Sequence, residues 1–150
     1  CGGGRNHRTG LFDAVLIKDN HLALGAPSPQ APARYTPAEA VARARRFVRD
    51  RSAQSDSAGC PTIVEIEVDT LQQFRDVLPA APDVVLLDNM SPAELAEAVR
   101  LRNEHNLDVQ LEASGGINLE TVRRIASSGV DRISVGALTH SAPCLDLGLD

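Results

Sequence analysis

Residues 84–94 of the sequence read VVLLDNMSPAE, and this stretch indicates the fold class. Four apolar residues come first, two of them β-branched, as in a strand that is buried in a parallel sheet. Ser91-Pro92-Ala93-Glu94 then gives a capping hydroxyl, a proline and a glutamate in the order that starts a helix. A buried strand followed by a helix is the repeating unit of a parallel α/β fold.

Other short apolar runs along the chain repeat the strand part of this unit. The predicted strands are Ala14–Ile17, Ile63–Val68, Val84–Leu87, Val109–Leu111 and Ile133–Val135. About five strands and four helices fall short of the eight pairs of a complete barrel. We therefore expect an α/β fold that is a partial (β/α) barrel with parallel strands. An open doubly wound sheet is the structural alternative.

The stretches between the strands carry helix signals. Helices are predicted to start at Thr36, at Asp69 or Thr70, and at Ser91. A further helix is expected from Leu119 to Ser128, capped by Asn118 and ended by Gly129. Residues 25–33 and 52–61 are rich in proline, serine and glycine, and are predicted to be solvated loops.

Composition limits the classes of function. The 150 residues carry a net charge of -5, which argues against a nucleic-acid partner. No apolar run is long enough to cross a bilayer and no signal peptide is recognised, so we expect a cytoplasmic protein without a membrane partner. Cys1, Cys60 and Cys144 are too far apart to predict a zinc site or a disulfide framework. Because the sequence begins at Cys1, we expect it to be a fragment or a processed product.

Polar residues lie near or just beyond the end of each predicted strand, where parallel α/β folds collect their functional groups. They are Lys18, Glu67, Asp88, Ser114-Gly115-Gly116 and Gly136. Because these strand ends are expected to lie on one face of the fold, the sequence predicts a single pocket there.

Two glycine-bearing loops are candidates for binding phosphate. Ser114-Gly115-Gly116 and Gly136-Ala137 follow the last two strands, and glycines let backbone N–H groups approach an anion. The helix expected after the first loop would add its dipole. His140 lies just beyond the second loop and is a candidate lining residue. The alternative is that these glycines only make tight turns.

Cations and carboxylates complete the predicted pocket. His7, Arg8 and Lys18 suggest a ligand with several negative charges, although an isolated histidine or arginine is more often a solvated surface residue. Glu67 and Asp88 are suited to a divalent metal, to sugar hydroxyls or to a developing oxocarbenium cation. The alternative is that Glu65 and Glu67 only pair with nearby basic groups. Glu65 is expected to support Lys18 or an arginine.

Six stretches together resemble the quinolinate phosphoribosyltransferase family. They are residues 1–11 (CGGGRNHRTGL), 16–21 (LIKDNH), 64–69 (VEIEVD), 86–89 (LLDN), 112–117 (EASGGI) and 134–141 (SVGALTHS). Each stretch alone is a weak signal, but six in this order over nearly the whole chain are highly specific.

The resemblance implies a two-domain type II phosphoribosyltransferase. Residues 1–150 would be its C-terminal barrel domain, without the N-terminal sandwich domain and the first barrel elements. The family transfers the phosphoribosyl group of PRPP to quinolinate, with magnesium accompanying PRPP, and gives nicotinate mononucleotide, pyrophosphate and carbon dioxide for NAD biosynthesis. A homodimer or a hexamer of dimers is expected.

The resemblance also implies roles for individual residues. Those expected to be catalytic are Lys18, Glu67 and Asp88. His7, Arg8 and Lys18 would contact the carboxylates of quinolinate and the anionic groups of PRPP, and Glu67 and Asp88 would lie near the ribose and the metal. The 5′-phosphate site would be formed by Ser114, Gly115, Gly116, Gly136 and Ala137.

Three other readings of the sequence stay open. A Schiff-base aldolase would use Lys18 as its nucleophile. A paralogue of the same fold, associated with molybdenum transport, would share the barrel and the phosphate loops. An inactive fragment would bind phosphate or another chain without catalysis.

Overall fold

A computed structural model describes residues 2–11, 13–24, 35–54, 62–105, 108–145 and 148. The first predicted loop, 25–33, lies outside these residues, and so does most of the second, 55–61. The beginning of the second loop was predicted wrongly, because a helix continues to Gln54. Ser52 donates its hydroxyl to the carbonyl of Val48 within that helix, at 3.0 Å.

Five parallel strands form one sheet. They are β1 (Ala14–Ile17), β2 (Ile63–Val68), β3 (Val84–Asp88), β4 (Gln110–Ser114) and β5 (Arg132–Ile133). Their order in the sheet is the same as their order in the chain. A doubly wound sheet reverses its strand order at a switch point, whereas a barrel does not. The order therefore confirms the α/β prediction and favours the partial barrel over its alternative.

Helices connect the strands, and several begin as predicted. Their bounds are α1 (Asp19–Leu24), α2 (Pro37–Gln54), α3 (Leu71–Val77), α4 (Pro92–Glu104), α5 (Val122–Ala126) and α6 (Ala137–His140), with a 3-10 turn at Leu78–Ala80. Ser91 and Glu94 form a complete capping box at the start of α4. Thr36 and Glu39 make the same reciprocal hydrogen bonds before α2. Thr70, rather than Asp69, caps α3.

The last third of the chain is less regular than predicted. Helix α5 begins at Val122, because Asn118 first closes a turn in which its side-chain oxygen accepts from the N–H groups of Glu120 and Thr121. Gly129, predicted to end this helix, has a φ of 88°, the left-handed conformation in which glycine commonly follows a helix. Strand β5 has two residues instead of three, and Gly136 leads into α6, a short helix that the sequence did not reveal.

The two faces of the sheet differ in chemistry because side chains alternate along each strand. One face packs on the helices in an aliphatic core that contains Val64, Ile66 and Leu87 from the strands and Phe74 and Leu95 from the helices. The opposite face carries charged and polar residues: Glu65, Glu67, Asp88, Glu112, Ser114 and Ser134. This polar face is where a barrel would have its interior, and it leads to the candidate site.

Aspartates close the amino-terminal end of the sheet. Asp83 accepts the backbone N–H of Val64 at 2.7 Å and the guanidinium of Arg45 at 3.0 Å. Asp131 repeats the arrangement two strand–helix units later, since it accepts the N–H of Leu111 at 2.8 Å and pairs with Arg102. Each aspartate ties a strand to its neighbour and to a helix, which is a structural role.

Among the described helices, none combines the length and the apolar character that a membrane crossing requires.

Candidate active site

The register of the sheet brings Lys18 beside Glu67. Ile17 pairs with Ile66, so Lys18, just beyond β1, lies at the level of Glu67 near the end of β2. The ammonium group of Lys18 donates to the carboxylate of Glu67. This hydrogen bond raises the pKa of Lys18 above its ordinary value, although partial burial acts in the opposite direction. Lys18 is therefore held as a cation at the mouth of the polar face.

Three carboxylates lie together next to this pair. One oxygen from each of Glu67, Asp69 and Asp88 lies within 4.8 Å of the others. Glu67 and Asp88 are partly buried, whereas Asp69 is exposed. Like charges at this separation repel one another, so the cluster is suited to a cation or to donor groups of a ligand. Lys18 is half-exposed and supplies one positive charge to it.

The first glycine loop lies beside Asp88. Asp88 pairs with Ser114 at the end of the sheet, and Gly115 and Gly116 follow with φ angles of 91° and 60°. Within the described part of the chain, neither glycine N–H donates to a backbone carbonyl. Both groups are thus available to an anion. Because α5 begins only at Val122, the prediction that a helix dipole would favour an anion at this loop was wrong.

His7 lies over the polar face at the level of two buried glutamates. Its Nε2 lies 3.2 Å from Glu65 and 3.3 Å from Glu112, and each glutamate is 2 % exposed. Ser134 donates its hydroxyl to Glu112. Burial raises the pKa of Glu65 most, the nearby Glu112 raises it further, and His7 opposes both. The two carboxylates hold Nε2 of His7 in place. The side chain of His7 is about a third exposed, so the rest of its ring is accessible to a ligand.

Comparison with known proteins identifies the family. A family model described as quinolinate phosphoribosyl transferase, C-terminal domain, matches residues 1–150. This chain belongs to the quinolinate phosphoribosyltransferase family.

Relatives within the family carry a consistent name. The nicotinate-nucleotide pyrophosphorylase [carboxylating] of Mycobacterium leprae is 42% identical over 150 residues, which are 99% of this chain and 45% of that protein. A probable enzyme of the same name from Bacillus subtilis is 36% identical over 100% of this chain and 44% of its own length. The chain therefore spans less than half the length of the curated relatives it matches.

Solved structures of the family share the fold. The nicotinate-nucleotide pyrophosphorylase from Francisella tularensis is 40% identical, with a TM-score of 0.69 over 93% of this chain and 41% of that one. NadC from Streptococcus pyogenes is 34% identical, with a TM-score of 0.71 over 97% of this chain and 43% of that one. The sheet described above is thus the fold of the quinolinate phosphoribosyltransferase C-terminal domain.

The residues predicted for the site have different positions in this family fold. Lys18, Glu67 and Asp88 lie together with the first glycine loop, Ser114 to Gly116. His7 reaches the same polar face, and Arg8, which follows it, is partly buried. Gly136, Ala137 and His140 follow β5, the strand next to β4, and a Cβ atom added to Gly136 would lie 3.8 Å from the ring of His140. The role of each residue stays a prediction.

Some residues of this region were missed or misread. Glu65 does not support Lys18, whose partner is Glu67; it contacts His7, which is 58 positions away in sequence. Glu112 was not predicted, although it interrupts an apolar strand as Glu65 does, and that shared signal was sufficient to find it. Asp69 was noted as a possible helix cap and as part of a motif, and Asn89 only as part of a motif. The cluster at the strand ends is therefore larger than predicted.

Proposed function

We propose that the protein carrying this chain transfers the phosphoribosyl group of PRPP to quinolinate, with loss of carbon dioxide, in NAD biosynthesis. For a member of this family, one structural observation supports the proposal. The carboxyl-terminal end of the sheet brings together a lysine, two carboxylates and a glycine loop with available N–H groups. Lys18 and the loop suit a ligand with phosphate groups, while Glu67 and Asp88 suit a ribose that becomes positively charged.

The two halves of the proposed pocket match two anionic substrates. His7, Arg8 and Lys18 would hold the carboxylates of quinolinate, because charge-assisted hydrogen bonds to carboxylates are among the stronger ones in proteins. The loop Ser114 to Gly116, with Gly136 and Ala137, would hold the 5′-phosphate through backbone N–H groups. His140 would line this phosphate half.

The reaction needs charge stabilisation rather than a nucleophile from the protein. The bond between the ribose carbon and pyrophosphate breaks with its electrons, and the ring nitrogen of quinolinate forms the new bond to that carbon. Glu67 and Asp88 would stabilise the positive charge that develops on the ribose. The carboxylate next to the quaternised nitrogen then leaves as carbon dioxide. Its electrons pass to the ring carbon, which takes up a proton.

Magnesium fits the carboxylate cluster as a companion of PRPP. Mg²⁺ prefers oxygen ligands and commonly combines one or two carboxylates with substrate phosphates. Glu67 and Asp88 would be its protein ligands, and Asp69 offers a third oxygen nearby. Bound there, the metal would neutralise phosphate charge.

The state of Lys18 disfavours the aldolase alternative. A lysine that forms a Schiff base must lose its proton before it attacks a carbonyl. The hydrogen bond to Glu67 raises the pKa of Lys18 and so holds the proton in place. A lysine held as a cation is suited to binding an anionic substrate instead.

Carboxyl-labelled quinolinate tests the proposal directly. The full-length protein should release labelled carbon dioxide only when PRPP and magnesium are both present. Release without PRPP would contradict the transferase assignment. No release under any of these conditions would favour the paralogue or an inactive protein. Binding of either substrate without turnover would separate those two outcomes.

A further inference from the structure

Asn89 connects the carboxylate cluster to the first glycine loop. Its side-chain amide donates to Asp88 at 2.7 Å. Its backbone N–H donates to the carbonyl of Ser114 at 2.9 Å. One residue therefore bonds to both neighbouring strand ends, β3 and β4, just where the candidate site lies.

The side chain of Asn89 also occupies the space beside Gly115. A Cβ atom added to Gly115 would lie 2.5 Å from Cγ of Asn89 and 2.8 Å from its backbone nitrogen. These separations are too short for carbon, so only glycine fits while Asn89 is in place. Gly116 has a positive φ as well, but a Cβ added there would meet nothing within 4 Å. The close contact is thus specific to Gly115.

The backbone of Asn89 has an unusual conformation. Its φ is 52°, in the left-handed region that disfavours most side chains and that asparagine tolerates better than others. Glycine would adopt this φ with less strain. A turn at this position therefore does not need a side chain, whereas the hydrogen bond to Asp88 does, and so does part of the close contact with Gly115.

We propose that Asn89 is a positioning residue for the substrate that carries the phosphates. It fixes the orientation of the Asp88 carboxylate and the shape of the Ser114 to Gly116 loop as one unit. The part of the inference that concerns PRPP rests on the proposed function. Asn89 itself acts through Asp88 and Gly115.

Two substitutions separate positioning from stability. Asn89→Gly removes the side chain and relieves the left-handed backbone, so the variant should be at least as stable as the parent. Asn89→Ala removes the side chain and keeps the strain, so it should be less stable. In the full-length protein, both should lower kcat/KM for PRPP by roughly tenfold to a hundredfold. The KM for quinolinate should stay within about twofold.

The control is another asparagine. Asn103→Ala lies near the end of α4, is exposed and should leave both kinetic constants unchanged within about twofold. If activity followed stability, so that Asn89→Gly were fully active and Asn89→Ala were not, Asn89 would be structural only and the proposal would be wrong. An equal rise in KM for both substrates would also overturn it.

Inorganic pyrophosphate gives a test that does not need turnover. Calorimetric titration with magnesium pyrophosphate should show binding to the parent and roughly tenfold weaker binding to Asn89→Gly. If the parent bound pyrophosphate but did not turn over, the proposed function would fail while the coupling through Asn89 would stand. Unchanged pyrophosphate affinity in Asn89→Gly, together with unchanged amide NMR signals of Gly115 and Gly116, would contradict the coupling itself.

Discussion

At the amino-terminal end of the sheet, Asp83 and Asp131 are each bound by a backbone N–H and an arginine, whereas at the carboxyl-terminal end three carboxylates lie together. Asp83 and Asp131 both accept from a neighbouring strand and from a helix. Glu67 and Asp88 instead lie within 4.8 Å of each other and of Asp69. The two ends thus use the same chemical group in different surroundings.

The difference separates charges that stabilise the fold from charges that are available to a ligand. A carboxylate with a backbone donor and an arginine has its charge compensated within the folded chain. A cluster of carboxylates with one lysine keeps unfavourable repulsion that a bound cation or ligand would relieve. A cluster of like charges of this kind is a physical indication of function.

Lys18 and Arg45 give the largest expected contrast. Lys18→Ala should lower kcat/KM by roughly tenfold to a hundredfold, because one charged contact contributes about 1.5–3 kcal/mol. Its fold should persist, since Lys18 lies at the mouth of the face and not in the core. Arg45→Met should leave kcat/KM within about twofold, because Arg45 pairs with Asp83 at the other end. Steady-state kinetics on both variants, after circular dichroism, would test the contrast, and equal losses would break it.

The two glycines of the first loop allow a comparison within the carboxyl-terminal end of the sheet. Gly115→Val should weaken PRPP binding by about 1–3 kcal/mol, because its φ of 91° and the contact with Asn89 exclude a branched side chain. Quinolinate, held by His7, Arg8 and Lys18, should be affected only indirectly. Gly116→Ala is the matched control, with a positive φ but open space.

Calorimetric titration of each ligand would measure these effects, once circular dichroism has shown that the variants are folded. A loss of quinolinate affinity with unchanged PRPP affinity in Gly115→Val would contradict the division of the pocket into a carboxylate half and a phosphate half.

Asp131 tests the structural end. Asp131→Ala removes the acceptor of the buried Leu111 N–H and should lower the free energy of unfolding by about 1–3 kcal/mol. Asp131→Asn retains a side-chain oxygen for that N–H and loses only the charge facing Arg102, so its loss should be smaller. Urea denaturation would compare the two variants. An activity loss in Asp131→Asn without a stability loss would place function at this end as well.

The sequence predicted the carboxyl-terminal side of this comparison, but not Asp83 and Asp131, because the signals on that side were local. The apolar run at Val84 and the capping residues at Ser91 define a strand and a helix within a few positions. The place of Asp88 then follows from the rule that functional groups lie beyond strand ends. The six motifs identified the family before any contact was known.

Contacts between distant residues were beyond such reasoning. Glu65 and His7 are 58 positions apart, and nothing in either stretch names the other as its partner. The start of α5 was misplaced because Asn118 makes a local turn, which competes with a helix for the same N–H groups. Likewise the close contact of Asn89 with Gly115 depends on the pairing of β3 with β4.

Substitution of Glu94 has the smallest expected effect. It tests whether the position of a carboxylate or its hydrogen bonds decide its role. It lies at the carboxyl-terminal end of the sheet, just after β3, yet it accepts the backbone N–H of Ser91 at 2.8 Å and its hydroxyl at 2.7 Å. By its bonding Glu94 belongs with the structural carboxylates, so Glu94→Gln should leave kcat/KM within about twofold.

The pH dependence of this variant follows from the lowered pKa of Glu94. The hydroxyl of Ser91 is the main cause and its backbone N–H the second, and together they lower the pKa below its ordinary 4.5. A lowered pKa in the folded state means that the ionised form favours folding. This contribution is therefore present above the unfolded pKa and is lost as the pH falls through the folded value. The difference in melting temperature between parent and Glu94→Gln should be small but constant near neutral pH and should vanish in acid. A difference that grew as the pH fell would mean that Glu94 is not held by the capping box, and bonding would no longer distinguish the two kinds of carboxylate.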